Sequence, residues 1–311
     1  MVRPALPKTW STRVPILNAP MGGVAGGLLA AAVSASGGLG MIGMGTAGSA
    51  TALRRELGLL GDCTRFGIGL VDWVMRREPD LWGVALDAGP RAISVSFGDD
   101  LGWVREAQAA GATAITQVFD VEGARRAQDA GIDVVVARGL EGGGHGAPQT
   151  AREDLLAGVV QAVDVPVLAA GAIAGRADVV AVLAAGAAGV WVGTAFAACS
   201  EALTTAGQRA AMIAATGHDT VLTRTVDTAL GFPWPAQFPS RMIANKFLRQ
   251  WEGRESELAS DPCARAELVD AMAADDTQTA PVDAGTGVGA IVEVKTAAQV
   301  VSALSDRVEP A

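Results

Sequence analysis

Short runs rich in valine, isoleucine and alanine recur along the chain, separated by polar or amphipathic segments. In order they are VPILNAP, LGMIGM, RFGIGLV, RAISVSF, ATAITQV, DVVVARG, VPVLAAG and GVWVGTA. Each is bounded by turn-forming or polar residues and is apolar nearly throughout rather than alternating. A strand buried on both faces, in a parallel sheet covered by helices, reads this way. The intervening segments suit helices. DDLGWVREAQAAG offers Asp99 or Asp100 as N-cap and Gly111 as a stop, and DVEGARRAQDAG offers Asp120 and Gly131 in the same roles. A weak internal repeat runs through AQAAGATAITQ, AQDAGIDVVVA and LAAGAAGVWVG, each a helix end, a glycine turn and a buried strand. About eight strands alternating with helices predict an α/β chain with a (β/α)8 TIM barrel over residues 1–198.

After GVWVGTAF the rhythm changes. Residues 199–279 carry much of the charge, the proline-rich FPWPAQFP and amphipathic stretches such as SRMIANKFLRQWEG. This predicts a helical insertion, a lid over the barrel mouth that shapes the substrate pocket. Residues 280–311 then read as a glycine loop and a helix returning to the barrel's outer ring. Two apolar patterns are set aside. GLGMIG satisfies G-x-G-x-x-G, but it overlaps a strand instead of opening a helix, so it does not mark a dinucleotide fold. GGVAGGLLAAAVSASGGLGMIGMG approaches a membrane span in hydropathy, but its glycines and serines divide it into loop, helix and strand.

Half of the 311 residues are hydrophobic and 18% are charged, which excludes a disordered chain. A formal net charge of −9 argues against a nucleic-acid binder, which needs a basic face. Cys63, Cys199 and Cys263 are far apart and form no CxxC, so neither a metal site nor a disulfide framework is expected. A reducing compartment follows, and the first residues lack the apolar core of a signal peptide, so a cytoplasmic protein is expected.

In such a barrel the loops after the strands build the active site. After the first strand comes NAPMGG, which places Ala19, Pro20 and Met21 at the mouth. AAGAIAG follows the seventh and GTAF the eighth. Gly171 and Gly193 allow close backbone approach, and Thr194 adds a hydroxyl. Together these two loops suggest a phosphate site built from backbone N–H groups. The sixth strand runs into RGLEGGGHG, where Gly142, Gly143 and Gly144 precede His145, one of only two histidines. An imidazole there can take or deliver a proton near neutral pH. His218, in ATGHDTV, reads as a surface residue.

The stretches NAPMGGVAGGLLAAAVSASGGLGMIG, RGLEGGGHG, PVLAAGAIAG and GAAGVWVGTAF resemble the nitronate monooxygenases. The resemblance continues through DTVLTR, SRMIANKF and DAGTGVGAI over nearly the whole chain. It implies a barrel that binds FMN through Ala19, Pro20, Met21, Gln117, Gly142, Gly143, Gly171, Ala172, Gly193 and Thr194. It also implies that His145 is the active-site base. The implied reaction is oxidative denitrification of a nitronate with O2 to a carbonyl compound and nitrite. Three positions depart from the family pattern. The usual V-Q-G is Ala137-Arg138-Gly139, the usual N-L of the third strand is Gly69-Leu70, and the late G-Q-x-x-G is Gly285-Thr286 with Gly289. Flavin-dependent enoyl reductases resemble this family and share its histidine loop. An NAD(P)H-dependent reductase of quinones or enoyl thioesters is therefore the alternative, and a flavin-free phosphate-binding barrel is the reading from another class.

Overall fold

The structure, a computed structural model, describes residues 4–147 and 149–305. Every apolar run named above contains a strand. They are Ile16–Asn18, Gly40–Met44, Phe66–Val71, Ala92–Ser96, Thr113–Val118, Val134–Arg138, Val167–Ala170 and Gly189–Val192. All pair in parallel with their neighbours. The first strand pairs with the last, Ile16 opposite Val190, and a bridge from Leu17 to Leu39 closes the ring. The chain is a (β/α)8 TIM barrel.

Alternate residues of each strand serve two cores. Leu17, Met41, Ile115, Val134, Val136 and Leu168 fill the barrel interior, with Trp10 packed among them. Ile16, Ile42, Ile68, Val135 and Val190 face outward under the helices. This double burial explains why the strands read as unbroken apolar runs.

Local signals set most helix ends. The Asp120 carboxylate accepts from the N–H of Gly123 at 2.6 Å, and Gly111 and Gly131 take φ of +83° and +89° at their helix ends. The helix Trp103–Ala109 differs from expectation. Its N-cap is Gly102, and Asp100, two residues ahead of that position, accepts from the Gly102 N–H instead of from the helix's first turn.

The region 199–279 is not purely helical, which corrects the sequence reading. It holds the helices Ala206–Ala214, Thr225–Leu230, Lys246–Trp251, Glu255–Leu258 and Pro262–Ala273. It also holds two strands, Thr220–Thr223 and Ser240–Ile243. SRMIANKFLRQWEG therefore divides. Its first four residues are strand, and Asn245 caps the helix that follows by accepting from Leu248 N–H at 3.0 Å. The reason is tertiary pairing. Ser240 and Arg241 sit opposite His145 and Gly144, so the histidine loop itself becomes the third strand of an antiparallel sheet. Helix Ala297–Ser305 buries Val300, Val301 and Leu304 against the outer core and packs on helices Gly27–Ala35 and Arg176–Ala184. Among the described residues no helix is long and apolar enough to cross a membrane.

Candidate active site

A cavity of about 500 Å³ lies where the strand ends meet the inserted region. Every residue expected to bind the cofactor or act as the base lines it. Ala19, Pro20 and Met21 come from the first loop and Gln117 from the fifth strand. Gly142, Gly143 and His145 come from the sixth loop, Gly171 and Ala172 from the seventh, and Gly193 and Thr194 from the eighth. His218 is exposed and lies outside it.

His145 is fixed on two sides. Its Nε2 lies 2.8 Å from Oδ2 of Asp227, a buried carboxylate on the helix Thr225–Leu230. Its ring stacks on Trp234, with centroids 3.6 Å apart and planes 7° from parallel. The Trp234 indole N–H donates to the Thr46 hydroxyl at 3.1 Å and anchors the FPWPAQFP segment over the second strand. Phe97 meets Trp234 and Phe238 edge-on and adopts a left-handed φ of +70°. A bulky side chain takes that conformation only where packing enforces it.

The triple glycine has a different cause from the one its sequence suggests. A Cβ on Gly143 falls 2.5 Å from the Gly285 nitrogen, and one on Gly142 falls 2.9 Å from the Arg138 guanidinium carbon. The glycines make room for protein, not only for a ligand. Arg138 Nη2 donates to the carbonyls of Gly143 and Gly144 at 2.8 and 3.0 Å, so this departure from the family pattern braces the histidine loop. Burial, then the nearby Arg241, pulls the Arg138 guanidinium down to about 10, so it remains a cation at neutral pH. Among the described residues no carboxylate lies within ion-pair distance of it. Asp283 lines the cavity and is exposed to it, and desolvation by the surrounding protein pushes its carboxyl above the usual range. The Ser240 hydroxyl donates to it at 2.8 Å.

The seventh and eighth loops carry the groups an anion needs. Gly171 and Ala172 take φ of +111° and +48° in succession. The N–H groups of Gly171, Ala172, Ile173 and Gly193 have no partner among the described residues. Thr194 Oγ1 accepts from the Gly285 N–H at 3.0 Å, which leaves its own proton to donate outward. The Gln117 carboxamide also lines the cavity and has no hydrogen-bond partner among the described residues. These open donors fit a phosphorylated, polar-edged planar ligand such as FMN. The third strand fits it differently from the family pattern. A Cβ on Gly69 falls 2.1 Å from the Pro20 ring, so Pro20 occupies the space an asparagine would need.

Sequence reasoning missed Asp227, Trp234, Phe97 and Asp283. The WP pair inside a proline-rich segment is the one local sign that Trp234 is placed deliberately.

A closed barrel with a held histidine and a turn of open N–H donors at its mouth is the architecture of an enzyme. The comparisons say which kind. The family profile described as Nitronate monooxygenase matches residues 82–306. A nitronate monooxygenase of Pseudomonas aeruginosa is 32% identical over 268 residues, covering 70% of this chain and 76% of the relative. FabK from Thermotoga maritima superposes with a TM-score of 0.84 at 28% identity, covering 98% of this chain and 96% of that one. Nitroalkane oxidase from Streptomyces ansochromogenes superposes with a TM-score of 0.82 at 28% identity, covering 96% of each chain. The chain belongs to the nitronate monooxygenase family. It is an oxidoreductase acting on small molecules, in a family of flavin enzymes.

Proposed function

We propose that the protein is an FMN-dependent oxidoreductase that converts alkyl nitronates, with O2, to the carbonyl compound and nitrite. The observation that carries this reading is the placing of His145. It is held by Asp227 and Trp234 on the wall of the same cavity that Gly171, Ala172, Gly193 and Thr194 line with open donors. FMN, when bound, supplies the electron sink and the reaction with oxygen. The chain's own residues supply the rest. Ala172, Ile173, Gly193 and Thr194 take the phosphate, and Gln117 holds a polar edge of the ring. Arg138, a buried cation that feels Asp283 and Glu141 but has no carboxylate within ion-pair distance among the described residues, favours an anionic substrate beside the histidine loop. With the Nε2 proton committed to Asp227, His145 Nδ1 accepts the α-proton of a neutral nitroalkane. Phe97 and Trp234 wall that side and keep water away from the reacting carbon.

The likeness to FabK favours a second reading, a reductase on this scaffold that takes hydride from NAD(P)H. One anaerobic experiment separates the two. The purified protein is mixed with propionate 3-nitronate and, separately, with NADH or NADPH. Bleaching of the flavin band by the nitronate alone supports the monooxygenase. Bleaching by a nicotinamide alone sinks it in favour of the reductase. A colourless protein that takes up no flavin sinks both.

A further inference from the structure

Arg152 opens the helix Arg152–Ala162 and does not line the cavity. Its side chain is 12% exposed and turned toward the seventh loop. Nη1 donates to the Gly171 carbonyl at 2.9 Å and to the Ala172 carbonyl at 3.1 Å. In a trans peptide the C=O and the following N–H point to opposite sides. Holding the Gly171 oxygen therefore turns the Ala172 N–H away from Arg152, and holding the Ala172 oxygen does the same for Ile173. Both residues line the cavity, and neither N–H has a partner among the described residues. The turn needs such a hold. Ala172 sits at φ +48°, a left-handed conformation that a residue with a Cβ adopts only when its surroundings hold it there. The guanidinium also polarises both peptide groups, which strengthens their N–H donors.

The clamp is itself anchored. The backbone N–H of Arg152 donates to both carboxylate oxygens of Glu141, at 3.2 and 3.0 Å. Glu141 belongs to the loop that carries His145, and its carbonyl accepts the Thr286 N–H at 3.0 Å. Asp178, 4.0 Å from Arg152 Nη2, takes the N–H groups of Ala174 and Gly175 at 3.0 Å each. The turn's carbonyls and its later N–H groups are thus tied off, and the N–H groups of Ala172 and Ile173 are left open.

We propose that Arg152 is the positioning residue of the phosphate turn: by clamping the carbonyls of Gly171 and Ala172 it presents the Ala172 and Ile173 N–H groups to the phosphate of FMN. This rests on the FMN reading above, and the test separates the two. FMN and riboflavin, which differ only in the phosphate, are titrated by quenching of flavin fluorescence. The proteins are wild type, Arg152→Met and Arg152→Lys. The backbone contact to Glu141 survives in all three.

Wild type should bind FMN more tightly than riboflavin. Arg152→Met should weaken FMN by about tenfold or more, the scale of one lost hydrogen bond to a charged group. Riboflavin should change by less than about twofold, within the scatter expected when no contact is lost. Arg152→Lys, with one point donor in place of the fork, should fall between wild type and Arg152→Met for FMN alone. Equal losses for FMN and riboflavin, or an unchanged FMN affinity, overturn the proposal. If Arg152→Met does not fold, Arg152→Lys decides by the same comparison. A wild type that binds FMN no better than riboflavin overturns the phosphate reading itself, and the role of Arg152 with it.

Discussion

An ionised carboxylate can only accept, so in the neutral imidazole the 2.8 Å contact from His145 Nε2 to Asp227 selects the tautomer with the proton on Nε2 and the lone pair on Nδ1. Two substitutions test this. His145→Ala should lower turnover of a neutral nitroalkane by about 10²–10⁴-fold, the worth of a positioned base. A preformed nitronate has already lost that proton and should suffer much less. Asp227→Asn should approach the same pattern, because an amide can donate to Nε2 and drive the proton onto Nδ1. Equal losses on both substrate forms would remove His145 from proton transfer and assign the pair to binding. Asp283 gives a separate test through pH. Desolvation at the cavity wall raises its carboxyl in the folded protein, so folding favours the protonated form. Its contribution to stability is full below the unfolded value, about 3.9, and is lost as pH rises through the higher folded value. Asp283→Asn should therefore raise the melting temperature at neutral pH, with the gain shrinking toward acid. A gain that grows on acidification contradicts the sign. At this scale His145 was legible, as a rare residue on a glycine loop. Asp227 was not, since 82 residues separate it from its partner and no local pattern marks the pairing.

The barrel strands were readable because burial on both faces leaves continuous apolar runs between turn residues. The strand Ser240–Ile243 was not. Four residues ahead of an asparagine cap look like the first turn of the helix that follows, and only pairing with Gly144 and His145 decides otherwise. Glycines inside elements were legible as turns but not as contact points. The loop NAPMGG seats on the second and third strands through such points. A Cβ on Gly43 falls 2.4 Å from the Pro20 carbonyl carbon, one on Gly22 falls 2.4 Å from the Gly45 Cα, and one on Gly69 falls 2.1 Å from the Pro20 ring. A proline ring cannot swing aside, so even one added carbon at Gly69 must move the backbone. Gly69→Ala should destabilise the fold by about 1–3 kcal/mol, the usual cost of overpacking. It should also weaken flavin binding, because Ala19, Pro20 and Met21 move with it. Chemical denaturation and a flavin titration of the same variant check both parts. A variant of wild-type stability and affinity shows that the first loop is free of the third strand.

At the scale of the molecule, the region carrying Asp227 and Trp234 enters the chain after the eighth strand and leaves it before helix Ala297–Ser305. That helix packs between the helices that follow the first and seventh strands, so the outer ring closes only after the insertion has been traversed. Both crossings lie at the barrel mouth, and the cavity wall alternates between the two regions. Met21, Gly171 and Gly193 belong to the barrel loops, while Trp234, Val282 and Gly287 belong to what covers them. A ligand in this cavity touches both and should stabilise them together. FMN at a hundred times its dissociation constant should add about 2.7 kcal/mol to the unfolding free energy, in a single transition. Hydrogen exchange should slow on FMN addition in Gly171–Ile173 and Gly193–Ala195, and equally in Ser240–Ile243 and Thr286–Ala290. The interior strand residues Val134 and Val136, already fully buried, should not change. If instead the 220–279 segment melts on its own at a temperature indifferent to FMN, the inserted region is an appendage. His145, which pairs with its strand, would then have to be held by the barrel alone.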